Sequence, residues 1–208
     1  MYMLNTFKTS KTISYNIYKK EDKKGKGSQL MNNAKAVFFD GQTNSPWACN
    51  EYNWEEIEKA EKVLNLCKIK QGSKIIEPGC GTGRLTKIVA ERCGSSGEIL
   101  AFDISKKMVK KTEKRILKYN NNKVLCMAAE EYSFKPNYYD VVLCHQTYQH
   151  FEKTELATKI LANAIKPNGY FIISQFTGIE IINNIYKQPH SPIKNDTMPN
   201  ISTIEQYL

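Results

Sequence analysis

At 208 residues, with 41% hydrophobic and 25% charged positions, the chain has the composition of one globular domain with a single core, long enough to bury most of its apolar groups. No apolar run approaches the roughly 20 residues that a membrane span needs, and the lysine-containing N-terminus lacks the apolar stretch of a signal peptide, so a cytoplasmic protein with no membrane partner is expected. The net charge of +9 rests on lysine, since only Arg84, Arg92 and Arg115 of the 30 basic residues are arginine, and without the bidentate arginine fork a nucleic-acid partner is not expected.

Residues 1–30 are polar and lysine-rich and lack a sustained period, which predicts a basic, flexible N-terminal extension. Residues 31–72 follow as an N-terminal helical unit. A short helix is expected over 34–39, and 41–53, with Pro46 and Trp47, reads as loop. Asn53 and Glu56 form a capping pair, after which Trp54, Ile57, Glu61, Leu64 and Cys67 recur at helical spacing, four of the five apolar, until Gly72 stops the helix. From residue 73 strands alternate with helices: strands at 74–77, 98–103, 123–127, 139–144 and 170–176, helices at 83–93, 105–118 and 153–165. That order predicts an α/β fold with a doubly wound, mostly parallel sheet. Such sheets bind ligands at the carboxyl ends of their strands, where Glu77, Asp103, Ala128 and Cys144 fall. Six cysteines, at 49, 67, 80, 93, 126 and 144, show no Cys-x-x-Cys pairing, so reduced, buried thiols are expected, with neither a disulfide framework nor a metal site.

The stretch Ile75-Ile-Glu-Pro-Gly-Cys-Gly-Thr-Gly83 reads as a buried strand breaking into a glycine turn that opens a helix. Gly79, Gly81 and Gly83 lack a Cβ, so the turn can take left-handed angles and pass close to a bulky ligand. A dinucleotide fingerprint needs Gly-x-Gly-x-x-Gly, whereas the third glycine here comes one residue early and Arg84 stands in its place. Asp103 ends its strand 20 residues beyond Gly83, a spacing that fits one βαβ unit. Its carboxylate can accept hydrogen bonds from both hydroxyls of a ribose, while Ser105 is available to cap the next helix. Two further segments follow in order, Tyr139-Asp-Val-Val-Leu-Cys-His-Gln-Thr-Tyr-Gln-His-Phe151 and Ile165-Lys-Pro-Asn-Gly-Tyr-Phe-Ile-Ile-Ser174. Together these four segments resemble the motifs of class I methyltransferases that use S-adenosylmethionine (SAM). Within that superfamily the chain is most similar to small-molecule methyltransferases of the ubiquinone/menaquinone type, through Phe38-Phe-Asp40 with Trp47, through Gln149-His-Phe151, and through the late stretch 192–199.

The resemblance implies a Rossmann-like sheet with SAM as cofactor. Glu77 would face the methionine amino group, Gly79 and Gly81 its backbone side, with Cys80 and Gly83 completing the turn. Asp103 would hold the ribose, and Ile104 and Met108 would flank the adenine. Related enzymes often carry Gly-Asp-Ala where this chain has Met127-Ala-Ala-Glu130, so the adenine edge is left to the backbone of Ala129, or to Glu130 if the loop is shifted. Cys144 would present its carbonyl to the methyl region. The segment around Phe38 would form part of the lid, or else anchor an N-terminal helix on the core. If the acceptor must lose a proton, His150, His145 and Tyr148 are the candidates, with His150 first because it occupies the motif-like position. A histidine tied to backbone at a loop corner is the competing reading.

Three activities stay open at this level. The first is methyl transfer to a small-molecule acceptor by in-line displacement. The second is methylation of RNA or protein with the basic tail as docking element, against which stands the lack of an Asn/Asp-Pro-Pro-Tyr/Phe signature after the fourth strand. The third is a SAM-binding protein without activity. After Phe176 the closing strands of the family are missing, so the domain at 73–208 is expected to be C-terminally incomplete, lacking the last two strands of the seven-stranded class I sheet. Strand 170–176 would then offer an unpaired apolar edge for self-association.

Overall fold

The computed structural model describes residues 5–8, 26–185 and 190–208. In chain order its elements are β1 (Asn5–Lys8), α1 (Lys26–Gln42), α2 (Pro46–Cys49), α3 (Trp54–Leu66), β2 (Lys74–Pro78), α4 (Arg84–Cys93), β3 (Glu98–Asp103), α5 (Lys106–Ile116), β4 (Asn122–Cys126), β5 (Tyr139–His145), α6 (Thr154–Ala164), β6 (Ile165–Ser174), α7 (Ile179–Ile185) and α8 (Ile201–Tyr207). The strands form one sheet in the order β1-β6-β5-β2-β3-β4. β2 to β6 pair in parallel, and the winding reverses between β2 and β5, which is the switch point of the sheet.

The central strands are buried on both faces, as a parallel sheet covered by helices requires. Successive side chains point to opposite faces, so neighbours in sequence enter different cores. Ile76, Leu100, Phe102 and Val142 pack with Ala157 and Leu161 of α6 and Ile204 of α8. Ile75, Ile99, Ala101 and Val141 pack on the other face with Leu64 of α3 and with Leu85 and Val89 of α4.

The N-terminal half differs from the sequence expectation in three places. The expected helix 34–39 is part of the longer α1, and the expected loop 41–53 contains the short α2, opened by Pro46 at a first-turn position where its missing N–H costs nothing. The capping pair is present as a full box, with Glu56 N donating to Asn53 Oδ1 and Asn53 N to Glu56 Oε2, both at 2.9 Å. The third difference concerns the sheet edge. β1 pairs antiparallel with β6, Asn5 opposite Ile173 through Lys8 opposite Tyr170, so the edge expected to be open is covered by a strand from within the expected flexible extension. The reason is that unpaired N–H and C=O groups along β6 gain partners, while a strand of four residues is too short to show a period. Residues 1–4 and 9–25 of that extension lie outside the described residues. Among the described residues that follow Ser174 the elements are helices, in keeping with a sheet that lacks the two closing strands. No described helix is long and apolar enough to cross a membrane.

The end of α1 and the turn after it are fastened to the body by polar contacts. Asp40 Oδ1 accepts from the Ser105 hydroxyl at 2.5 Å and from Lys107 N at 2.9 Å, and Lys111 Nζ donates to Thr43 O at 2.6 Å and Asn44 Oδ1 at 2.8 Å.

Deleting residues 1–8 should lower the melting temperature and shift the protein from monomer towards dimer in sedimentation velocity. Each ladder hydrogen bond lost costs roughly 0.5–1.5 kcal/mol net, and the bared edge of β6 becomes a template for another chain.

Candidate functional site

The carboxyl ends of β2, β3 and β5 open onto a cavity of about 670 Å³, a volume typical of small-molecule sites, lined also by Phe38 and Phe39 of α1 and Trp47 of α2. The glycine turn forms its floor, and its three glycines all have left-handed φ, at 64° for Gly79, 56° for Gly81 and 82° for Gly83. They serve different ends. A Cβ on Gly79 would stand 2.0 Å from Thr147 Oγ1, and one on Gly83 would meet Thr112 of α5 at 3.0 Å, so packing within the protein demands glycine at both. A Cβ on Gly81 would meet nothing within 4 Å, and Gly81 lines the cavity. Gly81 is therefore where the missing side chain leaves room for a ligand.

Asp103 holds this turn in place. Its Oδ2 accepts from Gly81 N at 3.0 Å and its Oδ1 from Ser105 N at 2.8 Å, while the Thr112 hydroxyl donates to Gly81 O at 2.7 Å. Burial pushes the Asp103 carboxyl up to about 6, against the pull of these N–H donors. Each oxygen keeps a lone pair, so Asp103 can serve the turn and a ligand together. Ser105 caps α5, accepting from Met108 N at 3.1 Å.

Glu77 is 2% exposed and its Oε2 has no hydrogen-bond partner. Burial raises its carboxyl to about 8. A buried acceptor with no partner is costly unless a donor arrives, and a cationic donor would return Glu77 to its charged form. His145 presents a second such atom: Nδ1 bonds the Ser174 hydroxyl at 2.8 Å, Nε2 has no partner, and the ring packs edge-on against Phe176 at 4.4 Å. Burial holds this imidazole neutral, down to about 3. His150, also on the cavity wall, packs against Phe39 at 5.3 Å and bonds Asp196 Oδ2 through Nδ1 at 2.7 Å. Its ring thus has side-chain partners on the α1 side and on the C-terminal side.

Of the residues expected at the site, Glu77, Gly79, Cys80, Gly81, Asp103, Ile104, Met108, Ala129, Glu130, His145 and His150 line the cavity together. Three do not. Tyr148 is fully buried, with its hydroxyl on Thr158 Oγ1 at 2.7 Å and its ring against Phe171, so it reaches the core and not the cavity. Cys144 is fully buried as well, because β5 runs one residue further than expected and His145 stands at the strand's end. Gly83 opens α4 and packs on Thr112, as described. Glu130 lines the wall, but its Oε1 accepts from Lys153 N at 3.0 Å and so caps the start of α6. Tyr52, Arg84, Thr147 and Gln175 join the wall without a motif to mark them. Arg84 is set by Glu56 at 3.0 Å and lies 3.9 Å over the Tyr52 ring; the capping residue Glu56 was the one available signal, and it points equally to a helix start.

The profile of a methyltransferase domain family matches residues 69–203. The ubiquinone/menaquinone biosynthesis C-methyltransferase UbiE of Paraburkholderia xenovorans is 26% identical over 126 residues, which cover 59% of this chain and 52% of that protein. Its counterpart in Neisseria meningitidis is 28% identical over 120 residues, covering 56% and 48%. The chain spans about half the length of these curated relatives. Among solved structures, phosphoethanolamine N-methyltransferase 2 of Haemonchus contortus, in complex with phosphomonomethylethanolamine and S-adenosylhomocysteine, superposes with a TM-score of 0.65 at 18% identity, over 86% of this chain and 43% of that one. A SAM-dependent methyltransferase from Aquifex aeolicus gives 0.51 at 21% identity, over 59% and 72%. At such identities the solved structures establish a common fold.

The two cavity glycines should separate by experiment. Gly81→Ala should fold with a loss of about 1–2 kcal/mol from left-handed strain while blocking ligand entry, whereas Gly79→Ala adds an overpacking cost of about 1–3 kcal/mol against Thr147. Chemical denaturation and ligand calorimetry on both variants check this.

Glu77 makes a prediction about pH. An unfolded carboxyl releases its proton near about 4.3, whereas folded Glu77 keeps it to about 8, so between these values the folded state binds more protons and loses stability as pH rises. Glu77→Gln should therefore melt several degrees above the wild type at about pH 8.5 and level with it near about pH 4. A pH series of thermal melts on the ligand-free proteins measures the difference.

Proposed function

The chain belongs to the methyltransferase domain family, and from that premise we propose that it binds SAM in this cavity and methylates a small-molecule acceptor. The observation that carries the reading is the buried Glu77 Oε2, without a hydrogen-bond partner, on the wall of the same cavity that Gly81 leaves open for want of a side chain. An α-ammonium group fits that acceptor and supplies the charge that Glu77 lacks. Asp103 offers its remaining lone pairs to the ribose hydroxyls, and Ile104 and Met108 supply an apolar slot for the adenine, whose edge meets the backbone near Ala129. Ala128 removes the carboxylate that related sequences place there, so adenine recognition falls to shape and to main-chain groups.

When bound, SAM supplies an electrophilic methyl group on a sulfonium. This chain's residues then contribute alignment and exclusion of water, the two terms that in-line displacement draws on most. Phe38, Phe39 and Trp47 close the cavity from the lid, and Tyr52 and Phe151 extend its aromatic wall. Such walls suit a flat, largely apolar acceptor. The curated relatives, named for C-methylation in ubiquinone and menaquinone biosynthesis, support an acceptor of this kind.

Two measurements test the reading. Asp103→Ala should weaken SAM binding by about 1.5–3 kcal/mol in calorimetry, the scale of hydrogen bonds to a charged group, and should also lower the melting temperature, because Asp103 accepts from Gly81 N and Ser105 N. Incubation of the wild type with methyl-labelled SAM and a metabolite extract should transfer label to a small molecule; unchanged SAM affinity in Asp103→Ala would remove that residue from the cofactor site.

A further inference from the structure

His150 has polar side chains against both nitrogens of its ring. On the Nδ1 side stands Asp196 Oδ2 at 2.7 Å, an acceptor that requires Nδ1 to carry the proton. On the Nε2 side stands the side-chain amide nitrogen of Gln149 at 3.3 Å, and Gln149 is oriented by Gln175, whose Nε2 donates to Gln149 Oε1 at 2.8 Å. With Gln149 turned this way its NH₂ faces the ring, an orientation that suits an Nε2 without a proton. Asp196 is fixed in turn by Lys35, whose Nζ lies 2.8 Å from Asp196 Oδ1, 3.5 Å from Glu152 and 3.2 Å from the His150 carbonyl oxygen. Lys35 is 3% exposed and Asp196 8%, so this cluster is withdrawn from solvent, where its charges interact strongly. His150 lines the cavity and Asp196 sits behind it.

From this arrangement we propose that Asp196 and Lys35 are positioning residues that make His150 Nε2 a general base for the methyl acceptor. The proposal rests on the methyl-transfer reading and deepens it, since it assigns the acceptor to the class whose nucleophilic atom carries a proton, such as a phenol, an enol or an amine. In the step, the acceptor's proton passes to Nε2 as its nucleophilic atom bonds the methyl carbon, and the electron pair of the broken sulfur–carbon bond remains on sulfur. The 3.3 Å contact from Gln149 is long enough for the acceptor to displace it, and the imidazolium that results faces Asp196. One ammonium, that of Lys35, lies against the two carboxylates of Asp196 and Glu152, so the protonated ring completes a cluster of balanced charge. His145, in the same wall, is a poor base because burial holds it neutral.

The dyad also depends on three distant parts of the chain. Lys35 comes from α1, His150 from the loop after β5, and Asp196 from the stretch between α7 and α8. The base is therefore assembled only when the lid and the C-terminal stretch are both docked.

Long-range proton–nitrogen NMR on the wild type gives a readout that needs no acceptor: with three histidines in the chain and His150→Gln to assign the signal, His150 should appear with Nδ1 protonated and Nε2 bare. Asp196→Asn should lose that single tautomer and cut label transfer from methyl-labelled SAM to a metabolite extract by about tenfold or more, with S-adenosylhomocysteine affinity kept. An Nε2-protonated His150 in the wild type overturns the proposal even if the variant fails to fold. So does label transfer undiminished in Asp196→Asn, or a parallel loss of transfer and S-adenosylhomocysteine affinity, which marks a structural role. A wild type that shows the expected tautomer but labels nothing counts against the methyl-transfer reading and leaves the His150 geometry supported.

Discussion

A short chain of hydrogen bonds, from Asp40 to Ser105 to Asp103 to Gly81, sets the geometry on which the rest of the cavity depends. Asp103 ends β3 and reaches across to the turn that follows β2, so two adjacent parallel strands share one polar anchor beyond their carboxyl ends. Without it the left-handed turn would have to find another acceptor for Gly81 N in a buried setting, where an unsatisfied amide is costly. Ser105 carries the same chain outward, since its backbone N–H serves Asp103 while its hydroxyl caps α5 and meets Asp40 of α1. The two helices and the turn are thus fixed against one another.

The electrostatics of the cavity show a site built at some cost to the ligand-free protein. Burial pushes Glu77 and Asp103 towards their protonated forms and His145 towards its neutral form, so the walls carry less charge than their composition suggests. Arg84 pairs with Glu56 at 3.0 Å and lies over the Tyr52 ring. A zwitterionic ligand would reverse much of this, because an ammonium near Glu77 favours the carboxylate form. Preorganised but undercharged, the cavity is matched to a ligand that brings its own charges.

Much of this was legible in the sequence because the signals are local. The glycine turn, Asp103 at the strand's end, the Asn53–Glu56 cap and the alternation of strands and helices each arise from a few neighbouring residues with strong conformational demands. What escaped the sequence depends on contacts between remote segments. The distinct duties of Gly79 and Gly81 are set by Thr147, a residue from another loop, and cannot be told from the glycine spacing. Tyr148 and His150 sit two apart in one short turn, yet one faces the core and the other the cavity, because the 3₁₀ geometry there follows no period that a sequence displays. β1 is the clearest case: four polar and aromatic residues have no strand signature of their own and pair because β6 offers an edge.

That pairing joins segments made at opposite times. Asn5 is opposite Ile173, so a chain emerging from the ribosome presents β1 long before its partner exists, and the sheet can be sealed on that side only after almost all of the other strands are in place. Closure of so long a loop is entropically late and slow. During synthesis the apolar strand β6 therefore passes through an interval with its edge bare, in which another chain can pair with it before β1 does.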